Sequence, residues 1–148
     1  MAKFIFKLQA LLNIKIKMED NLKNKMGKAI QKLERNKDIL KSIENKKSTC
    51  INEFNLKTSG KFVLKDLKEY SAYISHLNHK IELQKENVKS AQKNVDKVRE
   101  ELLALMQERE VLDKLKAKKY KRFMEEELKK EQKLNDEIVN FKHSKLNG

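Results

Sequence analysis

Between Tyr70 and Leu105, alternating steps of four and three land on Tyr70, Ile74, Leu77, Ile81, Gln84, Val88, Ala91, Val95, Val98, Leu102 and Leu105. Ten of these eleven positions are apolar or aromatic, and Gln84 is the exception. The residues between them are mostly Lys, Glu, Asn, Gln and Ser, with no Gly or Pro. A hydrophobic repeat of 3.5 residues held this long predicts a coiled-coil seam. Its stripe is narrow, so it asks for one partner helix rather than burial on several sides.

A second stripe of the same period supplies a partner. Leu22, Met26, Ala29, Leu33, Asn36, Leu40, Ile43, Lys47, Cys50 and Phe54 are apolar at eight of ten positions. Continued towards the N-terminus, this phase meets Glu19 and Lys15 before Leu12, Leu8 and Ile5, whereas a one-residue drift selects Met18, Leu11 and Phe4. The pattern predicts helix 1 from about Phe4 to about Asn55, tolerating Gly27 at a cost of roughly 1 kcal/mol relative to Ala. A turn falls at about 56–61, where Thr58 and Ser59 offer a hydroxyl cap and Gly60 can adopt positive φ. Helix 2 then runs from about Phe62 to about Phe141. The predicted fold is all-α: one domain spanning 1–148, built as a long antiparallel two-helix coiled-coil hairpin.

A turn centred on Gly60 pairs residues whose numbers sum to about 120, since a short loop fixes how two antiparallel helices line up. Cys50 then faces Tyr70, Ile43 faces Leu77, Ala29 faces Ala91, Leu22 faces Val98 and Leu8 faces Leu112. The two polar seam residues, Asn36 and Gln84, also meet. Paired amides can satisfy one another in an apolar seam, where either alone is costly, and such a pair fixes register at some expense of stability. The same count exhausts helix 1 near Lys116 and leaves the rest of helix 2 overhanging. There the stripe changes phase to Tyr120, Met124, Leu134, Ile138 and Phe141, beside the basic run Lys114 to Arg122 and the acidic trio Glu125, Glu126 and Glu127. An exposed helix with residual apolar residues asks for an external partner.

Composition narrows the class of protein. Charged and hydrophobic residues each make up 39 % of the 148 residues, with three Gly, no Pro and no Trp, which suits long helices rather than a thick core. The net charge of +13 raises nucleic acid and anionic membrane as partners. The cations are 31 Lys against 4 Arg, however, and bidentate reading of bases and phosphates relies on Arg. A solvated Lys-rich surface is the better account, and no specific nucleic acid is expected. Phe4, Ile5, Leu8, Leu11 and Leu12 could lie on a membrane, but starting a coiled coil needs that same face. One cysteine, Cys50, excludes an internal disulfide and reads as an inert packed thiol in a reducing compartment. The N-terminal apolar run is broken by Lys7, Gln9, Asn13 and Lys15 and has no cleavage site, so a cytoplasmic protein is expected.

No catalytic, cofactor or metal constellation is present. His76 and His79 stand three residues apart without a completing ligand, beside Lys80. Carboxylates pair with neighbouring Lys, as Glu82 with Lys85 and Glu86 with Lys89, in solvated helix pairs worth a few tenths of a kcal/mol. There is no Gly-rich phosphate loop. A non-enzyme is expected.

The N-terminal residues are more specific. Phe4-Ile5-Phe6-Lys7-Leu8-Gln9, then Leu11-Leu12, Lys15 and Glu19-Asp20, resemble the opening of the flagellar export protein FliJ family. The similarity continues through the turn near Gly60, Tyr70-x-x-Tyr73-Ile74-x-x-Leu77-x-x-x-Ile81, Leu115-x-x-x-x-Tyr120 and Glu131-Gln132-x-x-x-Asp136-Glu137. The resemblance implies a component of the flagellar type III export apparatus, serving flagellum biogenesis and so motility and chemotaxis. It implies a fold similar to the gamma-subunit stalk of rotary ATPases. Its implied partners are the flagellar export ATPase ring, the cytoplasmic domain of the membrane export gate and export chaperones, at the cytoplasmic face of the cell membrane.

On that resemblance, Phe4, Leu8, Leu11 and Leu12 with Lys116, Lys119, Tyr120, Phe123 and Met124 form the ATPase-contacting end. Tyr70, Tyr73 and Leu77 form the export-gate patch, although Lys46, Cys50, Lys80 and Gln84 depart from the family's residues there. Three other readings compete: a stalk of a related non-flagellar type III system, a Lys-rich coiled coil binding nucleic acid or anionic membrane, and a structural dimer zipped through its overhangs.

Overall fold

The computed structural model describes residues 2–58, 60 and 64–147. Two helices account for almost all of them: α1, Gln9–Thr58, and α2, Leu64–Asn147. No strand occurs among the described residues. The helices pack on one another as a two-helix hairpin, the all-α fold the two stripes predict. Helix α1 starts at Gln9 rather than near Phe4, and α2 continues to Asn147 rather than stopping near Phe141. At the turn, α1 extends to Thr58, and the Gly60 amide reaches the Lys57 carbonyl at 3.4 Å. Gly60 does not use positive φ. Ser59, Lys61 and Phe62, the rest of the expected turn and the expected start of helix 2, lie outside the described residues.

Contacts group the chain into two compact units, 21–102 and 1–20 with 103–148. In the first, the two stripes meet as an apolar seam. Ala29, Leu33, Ala91 and Val95 form its centre, with Met26 and Val88 against them. Val95 and Val98 are each only 1 % exposed, as narrow β-branched side chains suit close helix approach. Asn36 meets Gln84, and Phe54 meets Tyr70 with ring centroids 6.1 Å apart. Falling numbers on α1 pair with rising numbers on α2, so the helices are antiparallel. Tyr70 was expected opposite Cys50, but its ring partner is Phe54, one turn further along α1. A ring that size leans along its helix rather than straight across.

In the second unit the strict phase of α1 holds. Leu12 and Glu19 are buried, while Leu11 and Met18, the drifted alternatives, are exposed. Leu12, rather than Leu8, packs against Leu112, together with Phe6, Phe4 and Leu115. The reason lies in residues 2–6, which are not helical. Phe4 is half-buried, Ile5 is 77 % exposed and Phe6 is buried. That alternation is the two-residue period of an extended chain, which puts Phe4 and Phe6 on one side. A helix would have set them about 200° apart. The Gln9 amide bonds the Phe6 carbonyl at 3.0 Å and starts the helix there.

An extended segment also advances about 3.3 Å per residue, against about 1.5 Å in a helix. It carries Phe4 past Lys116, the expected limit of cover, to Tyr120 and Phe123. From Leu128 to Leu146 every residue of α2 is exposed.

Candidate functional site

The end of the second unit is built around an aromatic clamp. The Phe4 ring meets Tyr120 edge-on, centroids 5.2 Å apart, and Phe123 at a tilt, 5.5 Å apart. Such pairs add about 0.5–1.5 kcal/mol beyond burial. Phe4 and Phe123 are half-buried, while Tyr120 and Met124 keep about half their surface, 49 % each. Lys119 is exposed and Lys116 half-buried. Leu8 and Leu11 are exposed, but Leu12, at 2 %, is consumed by the internal core. Leu12 is therefore part of this end's internal core, with Phe6 and Leu112. Beyond it, Leu128, Leu134, Ile138, Val139 and Phe141 stand exposed along α2.

Behind the clamp lies an ionic layer that the periodicity marks only as a defect. Glu19 is 4 % exposed on the seam, and the Arg109 guanidinium donates to it through Nε and to Asp113 through Nη1 at 2.6 Å. These bonds, to Glu19 first and Asp113 second, raise the Arg109 pKa further. Lys15 Nζ reaches Glu108 at 2.8 Å. A charge buried this deeply needs a partner held in place, and Arg109 supplies two donors in a fixed fork. The stripe marks Glu19 as a polar seam position, but a register summing to about 120 sets it opposite residue 101, so its pairing with Arg109 is a finding of the structure.

In the other unit, Tyr73 is exposed at 47 %, and Tyr70 is half-buried against Phe54. Lys57 Nζ lies 5.0 Å from the Tyr70 ring centroid, and its hydrogen bond to that tyrosine raises the lysine pKa. Tyr70 and Tyr73 line an open groove with Lys46, Cys50 and Glu53. Leu77, at 2 %, is core. It sets the seam beneath this patch and offers no surface. Cys50 is a buried free thiol. Further along, Gln84 Nε2 donates to Asn36 Oδ1 at 3.1 Å and to the Asn36 carbonyl at 2.8 Å. Asn87 Nδ2 donates to Gln84 Oε1, while Asn36 Nδ2 returns to the Lys32 carbonyl.

Among the described residues, no three His, Cys, Asp or Glu side chains gather as a metal site. Nor, among those residues, is any helix long and apolar enough to cross a membrane.

These features define an antiparallel coiled-coil protein with an internally clamped end and an apolar helix continuing past it. A family model described as Flagellar FliJ protein matches residues 4–148. The chain belongs to the FliJ family, whose members are non-catalytic components of the flagellar type III export apparatus. No curated protein and no solved structure matches it.

Proposed function

We propose that this protein is the central stalk of the flagellar export ATPase. In this role it promotes assembly of the ATPase ring and links the ring to the export gate and to export chaperones, working in the cytoplasm at the membrane's inner face. It is not itself an enzyme. The observation that carries this reading is the uncovered stripe from Met124 to Phe141, which continues α2 beyond the clamped N-terminus. Met124, Leu128, Leu134, Ile138 and Phe141 leave a large apolar surface in water, and such surface on a helix is stabilised by a partner groove. Phe4, Leu8, Leu11, Lys116, Lys119, Tyr120 and Phe123 flank it as the ATPase-contacting end. Tyr73, with Tyr70 beside it, is the gate-facing surface, and Leu77 supports it from within.

The test is turnover and ring assembly of the cognate export ATPase, with the full chain and with a chain ending at Leu128. That cut leaves Tyr120 and Phe123 under Phe4, so the hairpin should remain folded. Loss of most of the stimulation is expected, whereas stimulation equal to that of the full chain would sink the proposal. In the same preparation, Tyr73→Ala should weaken capture of the gate's cytoplasmic domain while leaving ATPase stimulation intact.

A further inference from the structure

The coiled coil leaves unused a second apolar face at the start of α1. Leu11, Ile14 and Met18 recur at i, i+3 and i+7, with Leu8 one turn earlier, and they are 41, 55, 45 and 39 % exposed. The seam is served instead by Leu12 and Glu19. A helix apolar on more faces than its partner covers is stabilised by a further surface. The charged residues within 2–18 have one sign, and the carboxylate that α2 brings here, Glu108, is paired with Lys15. Lys3, Lys7, Lys15 and Lys17 are all basic, and no carboxylate occurs before Glu19.

From these two observations we infer that this face of α1 docks on an anionic lipid surface. The aliphatic side chains enter the headgroup boundary, and the lysine ammonium groups meet lipid phosphates. An exposed amphipathic face flanked by Lys binds through buried apolar area plus attraction to anionic lipid. Lys15 is anchored to Glu108, so Lys3, Lys7 and Lys17 carry most of the attraction. A second copy of the chain is a poor occupant, because it would bring the same lysines against these.

This site overlaps the stalk reading only in part, since Ile14 and Met18 belong to no proposed ATPase contact. Leu8 and Leu11 are shared, so lipid and ATPase would compete for this end.

The experiment is co-sedimentation of the full chain with vesicles of phosphatidylglycerol and phosphatidylcholine, or of phosphatidylcholine alone, with no ATPase present. Binding to the anionic vesicles only is expected. The double variant Ile14→Gln/Met18→Gln keeps every charge and changes only exposed positions. It should weaken binding at least about tenfold, a change of about 1.4 kcal/mol. The chain has no Trp, so Ile14→Trp gives a clean reporter. Its emission should shift to the blue with anionic vesicles, and that of Gln31→Trp should not. Three results overturn the inference: no binding to anionic vesicles, undiminished binding of the double variant, or an Ile14→Trp emission that moves only with an acidic helical peptide.

Discussion

Gln84 sits between aliphatic neighbours in the seam and is 8 % exposed, yet each of its polar atoms has a partner: Nε2 gives to Asn36, and Oε1 takes from Asn87. Gln84→Leu strands the Asn36 side-chain oxygen and should cost about 1 kcal/mol, read from the urea midpoint. Asn36→Leu/Gln84→Leu removes the demand altogether. It should melt at or above the wild-type midpoint but sediment as mixed species, because an all-apolar seam no longer distinguishes registers. A double variant that is both less stable and uniform would show that the amides supply net stability instead. Glu19 and Arg109 follow the same logic with charges. Arg109→Met leaves a buried carboxylate without its guanidinium and should lower the urea midpoint clearly. Glu19→Leu/Arg109→Met should recover it, since losing one partner costs more than losing both. Failure of the double variant to recover would mean that Asp113, the other partner of Arg109, is the more important link.

At the scale of elements, the segment before Gln9 does what a further turn of helix could not. As an extended strap it buries Phe6 against Leu12 and Leu112 and lays Phe4 on Tyr120 and Phe123. Phe4→Ala should therefore loosen the strap without unfolding the hairpin. Hydrogen exchange should speed up at Gln9 and Leu12, whose amides bond the Phe6 and Leu8 carbonyls, and stay slow at Val95. Equal acceleration at Val95 would show that the strap is required for the whole fold. The two helices were legible because their stripes keep one period for dozens of residues, and coiled-coil packing reads period above all else. The strap was not, because Phe4-Ile5-Phe6 and Leu8-Leu11-Leu12 are apolar enough to satisfy either a helical or an extended reading. Burial of Phe6 and the choice of Leu12 over Leu8 depend on where the helix begins, which a short apolar run does not specify. Among the candidate site residues, Tyr73, Tyr120 and Met124 stay available at the surface. Leu12 and Leu77, assigned to contacts on the family resemblance, are buried in the core, and a motif match does not say which surface an apolar residue meets.

For the whole molecule the deciding question is whether its +13 charge or its apolar surface recruits partners. Apart from the run Lys114 to Arg122, the cations are spread along both helices among carboxylates. Several lie within reach of carboxylates three residues away, as Glu34 with Lys37, Glu82 with Lys85, Asp96 with Arg99 and Glu127 with Lys130. Those exposed pairs contribute little to stability, but they lower the field that a polyanion would meet. Binding driven by counterion release from nucleic acid falls by roughly 10³–10⁵ between 50 and 200 mM salt when six to ten phosphates are contacted. Burial of the Met124–Phe141 stripe has no such dependence, since apolar association is not weakened by screening. The concentration of this protein giving half-maximal ATPase stimulation should accordingly change by less than about fivefold over that salt range, roughly 1 kcal/mol. A rise of a hundredfold or more, parallel to the loss of binding to a DNA duplex in the same buffers, would assign recruitment to the lysines and leave the apolar stripe without a role in it.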